Sequence, residues 1–407
     1  MNEAEFLKER FREYYSTHRV DSVPSIETRE FGIGDFKKKI VKRHMHFSSA
    51  AELNSFLRKE APLYISYSAA YYKEPEARPM ENKGLLGSDL VYEFDADELG
   101  LDCKEEHDFW YCKKCGNSGK GSVKNCNNCG SAVEQYQFIC EKCLEETKKQ
   151  MLKLIKVLDE ELGIFEQVSI NFSGNAGYHL HIRSEKIRQL SSAARLELVD
   201  YLTLAGFTAE ASIADFSEKM LKCAKPQSVK GARARVLNRI MEFISNANPD
   251  ELAAFGGIRL SKARYVHENR AKIIEKIKQG ILDYLPGSKA ASVKFWQNLI
   301  EYAKNCEALK LDRQTSIDIH KIVRVPDTLH GSTGLIAKTV PLERFKEFMP
   351  LKHAVAFSDK QIKVFINKAP KFKLGAERFG PYENEQVVLP EYAAIYLIGK
   401  GVASLRE

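Results

Sequence analysis

Seven of the nine cysteines fall between Cys103 and Cys143, and that crowding limits the fold more than any other feature. Three C-x2-C pairs occur there: Cys112 and Cys115, Cys126 and Cys129, Cys140 and Cys143. In a chain whose thiols stay reduced, such spacing binds metal more often than it forms disulfides. Cys112-x2-Cys115-x10-Cys126-x2-Cys129 is a self-contained zinc ribbon or knuckle, with Gly116 and Gly130 directly after its pairs. It leaves Cys103, His107, Cys140 and Cys143 as a Cys3His set that closes across the inserted knuckle. One or two structural Zn2+ ions are expected. Cys223 and Cys306 stand alone and read as inert thiols.

The rest of the chain sets the frame around that module. At 407 residues it exceeds one compact core, so two or three units are expected. No run approaches ~18 consecutive apolar residues, and residues 1–15 are charged from Glu3 onward. Neither a membrane span nor a secretory leader is expected, and the default compartment is the cytoplasm. The formal charge is +7, too mild to prove a polyanionic partner by itself. It is unevenly placed: residues 219–304 carry 17 Lys/Arg against 7 Asp/Glu. Such a stretch is either a face for nucleic acid or a solvated helical surface.

Periodicity predicts a helix over 3–16 and short strands at 40–47 and 63–68. Residues 88–97 alternate, with Leu90, Tyr92, Phe94 and Ala96 on one face and Val91, Glu93, Asp95 and Asp97 on the other. An amphipathic helix is expected over 145–162, ended by Gly163, then strands 167–172 and 178–183 about the turn 173–177. Residues 190–310 are almost strand-free, and strand texture resumes at 318–325, 361–366 and 386–399. The expected fold is α/β (α+β), with one mixed-sheet core in three pieces, 1–102, 144–189 and 311–407. The zinc segment 103–143, containing the knuckle 112–129, and an all-helical subdomain, 190–310, interrupt it.

Three polar elements carry chemistry. Asp95 and Asp97, two apart on one strand face, repel unless a cation sits between them, and a pair of divalent metals would serve phosphoryl chemistry. In SGNAGYHLHI, Gly174 and Gly177 let backbone N–H groups approach an anion, Ser173 adds a hydroxyl, and His179 and His181 share a face. In DIHKIVRVPDTLHGSTG, Asp318, His320, Ile322 and Arg324 are expected on one strand face, followed by His330 in a turn. A carboxylate near an arginine suits a site holding both metal and phosphate.

Together these residues resemble the small catalytic subunit of archaeal and eukaryotic DNA primase. The match runs in order through Arg29-Glu-Phe, Arg43-His44, SYSAAYYKEP, MENKGLLGSDLVYEFDAD and the Cys/His cluster. SGNAGYHLHI, VRVPDTLHGSTG and LPEYAAIYLIGKGVA complete it. The resemblance implies a primase-type core in which Asp95, Asp97 and Asp318 hold two catalytic Mg2+ or Mn2+ ions. It implies that Ser173, Gly174, His179, Arg324 and His330 form the nucleotide site. It further implies synthesis of short RNA or DNA primers for DNA replication on a single-stranded DNA template from nucleoside triphosphates, with a large iron–sulfur partner subunit and the replication machinery. Other readings are a primase-like repair polymerase and a non-catalytic zinc-ribbon nucleic-acid-binding protein. Three departures stand out. Ala176 and Ser332 occupy positions where many relatives carry Arg and Lys, and Lys338, Arg183 or Lys83 are candidates to compensate. The Cys112–Cys129 knuckle looks like an extra module inserted into the family's single zinc site.

Overall fold

The computed structural model describes residues 2–35, 38–217 and 221–405; Lys219, where the basic stretch begins, lies outside them. The chain divides into two compact units. The first comprises Met1–Leu152, Phe165–Arg195 and Leu311–Glu407, and the second Lys153–Ile164 and Leu196–Lys310.

The first unit opens with the helix Glu3–Thr17, which Asn2 and Glu5 start by a reciprocal capping box. Its buried stripe is Phe6, Leu7, Phe11, Tyr14 and Tyr15. The core is two four-stranded sheets rather than one. The first has the order Ile322–Arg324, Tyr64–Ser68, Phe31–Gly34, Lys42–Met45. The second has the order Thr339–Val340, Val168–Phe172, Gly177–Ile182, Leu90–Asp95. All these pairings are antiparallel. Leu90, Tyr92, Phe94 and Ala96 are buried, as their alternation requires. On the opposite face His181 stacks on Tyr67 of the first sheet, ring centroids 6.2 Å apart, and Arg183 donates to the Tyr67 hydroxyl. Those contacts join the two sheets face to face.

Three expected strands are shorter than the sequence pattern suggests. The 88–97 strand begins at Leu90 and stops at Asp95, so Asp97 lies in the following turn. The physical cause is local: the Asp95 carboxylate accepts the Asp97 N–H at 2.9 Å, turning the backbone out of the sheet. Only Ile322–Arg324 of 318–325 is strand; Asp318 instead ends the short helix Arg313–Ile317. Of 386–399, the strand Tyr382–Pro390 stops at Pro390 and Glu391–Gly399 is a helix. Glu391 through Ile398 are all buried, so this helix has no polar face, and alternation cannot separate such a run from a buried strand.

The second unit is helical, as 190–310 predicts. Gly231–Asn246, Pro249–Gly256, Leu260–Glu268, Arg270–Lys278 and Lys289–Glu307 enclose a core that includes Leu237, Ile240, Trp296 and Leu299. Some of its cations are already paired, Arg235 with Glu161 and Arg239 with Glu307. Among the described residues, no helix is long and apolar enough to cross a membrane.

Candidate active site

The carboxylates sit where the Leu90–Asp95 strand leaves its sheet. Asp95 pairs in register with Gly177, and Ala96 N–H donates to the Ala176 carbonyl at 3.1 Å, so the 173–177 turn lies directly beside them. Burial, with the neighbouring Asp97 charge, raises the Asp95 pKa above the usual carboxylate value. Asp97 is turned toward the ammonium of Lys104. The helix that Asp318 ends is tied to the same strand: Asp312 N–H donates to the Glu93 carbonyl at 3.2 Å and Thr315 Oγ1 to the Glu93 carboxylate at 3.2 Å. Asp95, Asp97 and Asp318 do not close into a set with ligand atoms within 4.8 Å of one another; among the described residues only the two cysteine-rich sets do. Of the two expected strand faces, the first loses Asp97, which lies in the turn after Asp95, and the second loses Asp318, which ends a helix before the strand Ile322–Arg324.

Two turns form the other wall. Ser173 Oγ accepts the N–H groups of Asn175 and Gly177 at 3.3 and 3.2 Å, contacts that do not consume its own proton. Gly174 has φ +79°, and a Cβ there would lie 2.8 Å from the Cβ of His330, so the two turns touch only because this residue is glycine. Thr333 Oγ1 donates to the Gly174 carbonyl at 2.5 Å and locks the contact. Ser332 hydrogen-bonds Nδ1 of His330 at 3.1 Å and fixes the ring. Arg324 lies over Tyr64, 4.7 Å from the ring centroid, and the Tyr64 ring meets His330 edge-on at 5.3 Å. Nε and Nη1 of Arg324 are buried without a protein hydrogen-bond partner. Burial lowers its pKa to about 10, a value that leaves it cationic at neutral pH. A desolvated, unpartnered guanidinium is a strong anion receptor.

The two histidines of the 177–182 strand are not alike. His181 is fully buried with both ring nitrogens unpartnered, and burial keeps it neutral, its pKa well below the usual value. His179 bonds the Glu93 carboxylate at 3.2 Å. Burial alone would lift the Glu93 pKa, but His179, Lys321 and Thr315 together hold it down to about 2. A depressed carboxyl adds stability that is present above its unfolded pKa of ~4.3 and is lost as pH falls toward 2. The expected contribution is roughly 3 kcal/mol at most. Glu93→Gln should therefore flatten the decline in stability between pH ~4.5 and ~2, read by denaturant titration against the parent chain. Parallel curves across that window would refute the assignment.

Both cysteine sets are assembled. Sγ of Cys143 lies 3.5 Å from that of Cys103, 3.7 Å from that of Cys140 and 3.3 Å from Nε2 of His107. In the knuckle, Cys112–Cys129 and Cys115–Cys126 are each 3.5 Å apart. A tetrahedral Zn–S bond of ~2.3 Å puts sulfurs ~3.8 Å apart, so both sets fit Zn2+. His107 Nδ1 is held by Asp108 at 2.9 Å, the outer-shell carboxylate that a zinc-binding histidine uses. Asp108 in turn bonds Lys104 at 3.0 Å, and Lys104 reaches Asp97. A continuous chain of contacts thus runs from the Cys103/His107/Cys140/Cys143 set to a carboxylate of the candidate active site.

A family model described as DNA primase small subunit matches residues 132–341, just over half of the chain. A protein of Methanothrix thermoacetophila named DNA primase small subunit PriS is 30% identical, covering 98% of this chain and 98% of that protein. One of the same name from Cenarchaeum symbiosum is 31% identical over 98% of this chain and 97% of its own. An Archaeoglobus fulgidus protein, also so named, is 28% identical over 98% of both. The chain belongs to the DNA primase small subunit family.

Within this primase small subunit, several expected roles change hands. Arg183 is engaged by Ser169 at 2.6 Å and Asp89 at 3.4 Å. Lys83 is buried against Glu30, 3.6 Å away, and Lys338 donates to the His353 carbonyl at 3.1 Å. Arg183 and Lys83 are thus ion-paired with buried carboxylates, whereas Lys338 bonds only a backbone carbonyl. Arg29 is likewise structural, ion-paired with buried Asp89 at 3.0 Å. Sequence reasoning missed Lys104 and Lys400. Lys400 Nζ lies 3.3 Å from Asn175 Oδ1, in the turn beside Asp95. The only local signal was a lysine between two glycines at the end of an apolar run.

Proposed function

We propose that this chain is the catalytic subunit of a DNA primase, joining nucleotides into short primers on a single-stranded template. The observation that carries this reading is the hydrogen-bonded junction of three parts. Ala96 N–H to Ala176 links the carboxylates to the 173–177 turn, and Thr333 to Gly174 links that turn to His330. Oxygen donors suit Mg2+ or Mn2+, and Asp95, Asp97 and Asp318 would hold them. Two such ions, when bound by these carboxylates, would supply Lewis acidity for phosphoryl transfer to a primer 3′-hydroxyl. Arg324 pairs with the triphosphate through its unpartnered guanidinium. Ser173 donates its free proton, and His330, fixed by Ser332 at Nδ1, presents its other ring nitrogen. His179 acts through Glu93 rather than as a free ligand, supporting the strand that ends at Asp95. The Cys103/His107/Cys140/Cys143 and Cys112/Cys115/Cys126/Cys129 sets hold structural Zn2+. A large subunit supplies the second nucleotide needed to start a chain, and the pair works with the replication machinery inside the cell.

The test is incorporation of labelled nucleotide on a poly-pyrimidine template with Mn2+. Extension of an annealed primer by this chain alone, and de novo products only with the large subunit, are expected. Zinc-dependent DNA binding without any incorporation would instead make it a binding module.

A further inference from the structure

The triphosphate pocket lacks two cations by sequence, and the structure brings a third from elsewhere. Ala176 and Ser332 are both uncharged, and Arg183 and Lys83 are ion-paired with the buried carboxylates of Asp89 and Glu30, while Lys338 bonds the His353 carbonyl. The helix Glu391–Gly399 ends against the 330–332 turn: a Cβ on Gly399 would lie 2.8 Å from the carbonyl carbon of Ser332 and 3.1 Å from the Gly331 oxygen. Only a residue without a side chain lets the helix end approach so closely. The next residue is Lys400, whose ammonium extends to Asn175 in the opposite turn. Its stem passes Tyr396, with Nζ 5.6 Å from the ring centroid. Lys400 also lines a cavity of about 890 Å³ with Tyr111, Asn367 and Lys368, beside the zinc knuckle rather than in the nucleotide site.

We infer that Lys400 is a nucleotide-binding residue, its ammonium contacting the triphosphate of the incoming nucleotide in place of the cations absent at Ala176 and Ser332. The inference rests on the primase reading and names a further residue of that same site. An ammonium placed between the Ser173–Gly177 turn and the His330–Ser332 turn faces the two backbone loops that cradle the anion. Its hydrogen bond at 3.3 Å, to a neutral amide oxygen, is weak enough to be exchanged for a phosphate oxygen.

Lys400→Met keeps the apolar stem and removes the charge. It should raise both the KM for nucleotide and the Kd for a non-hydrolysable nucleoside triphosphate, measured by calorimetry, about tenfold, the scale of one charge-assisted hydrogen bond. Turnover at saturating nucleotide should stay within about twofold, and Lys400→Arg should recover most of the affinity. Unchanged Kd and KM in Lys400→Met overturn the inference and leave the primase reading intact. So does a loss that Lys400→Arg does not recover, because the effect would then be structural. Absence of any incorporation by the parent chain, alone and with the large subunit, overturns the primase reading itself, a result independent of Lys400.

Discussion

Asp95→Asn and Asp97→Asn should each lower nucleotide incorporation by about a thousandfold or more, with the fold intact. Removing one preorganised electrostatic stabiliser costs an enzyme ~3–4 kcal/mol of transition-state energy, and a lost carboxylate charge at the metals belongs at or above that scale. The choice of asparagine matters at Asp95. Its carboxylate accepts the Asp97 N–H at 2.9 Å, and an amide oxygen preserves that turn. Burial raises the pKa of the Asp95 carboxyl, so the amide removes a charge whose desolvation is unfavourable, and stability should hold or rise slightly. Asp318→Asn should behave alike, with its N–H contact from His320 at 2.8 Å kept by the amide oxygen. The measurement is primer extension across a Mn2+ series beside thermal unfolding. Near-parental extension by either folded Asp95→Asn or Asp97→Asn protein would remove these residues from the active site. Unfolding of Asp318→Asn would make that aspartate structural.

Cys140→Ser should destabilise the first unit far more than Cys112→Ser, although each removes one ligand from a four-ligand set. Metal analysis should give two Zn2+ per parent chain and one in each variant. The difference lies in what each site fastens. Cys103, His107 and Cys143 are buried, and the set ties the segment leaving Asp95 to the start of the Glu141–Val157 helix. Around it, Phe138 packs on Phe109, Phe372 and Tyr396, and its N–H donates to Asp108 at 3.0 Å. Loss of a structural metal from such a place belongs among the largest single-residue effects, above ~4 kcal/mol, or roughly 10 °C in Tm for a unit of this size. The knuckle instead closes on a small cluster of its own, Trp110, Cys112 and Cys126 with Val123, Cys129 and Val133. Its loss should stay local, with primer extension retained. One Zn2+ in carefully prepared parent protein, or equal destabilisation by both variants, would sink the two-site account. Because Lys104 links Asp108 to Asp97, the Cys140 variant should also weaken Mn2+ activation where it remains folded.

Much of this was legible along the chain because it depends on neighbours. C-x2-C spacing places two sulfurs on one metal whatever surrounds them, and both ligand sets assemble as the spacing implies. Alternation at Leu90–Phe94 marks the buried face, since a pleated strand must send successive side chains to opposite sides. Glycine at 174 marks the turn. Strand ends were less legible. The Asp95 carboxylate that stops its strand competes with the ladder by a single hydrogen bond, and alternation carries no trace of it. The run 391–398 looked like strand because burial on every side erases the polar face that would have shown a helical period.

By itself, then, the sequence determined the ligand sets, the buried strand face, the turns and the order of motifs that marks the family, all short-range properties of spacing and residue type. Tertiary structure decided which charges meet. Lys104 rather than a strand neighbour faces Asp97; Glu93 takes His179; Lys400, 225 positions from Asn175, reaches the 173–177 turn, while Arg183 and Lys83 pair with buried carboxylates. A charge acts through distance in space and through burial, and neither is encoded in separation along the chain.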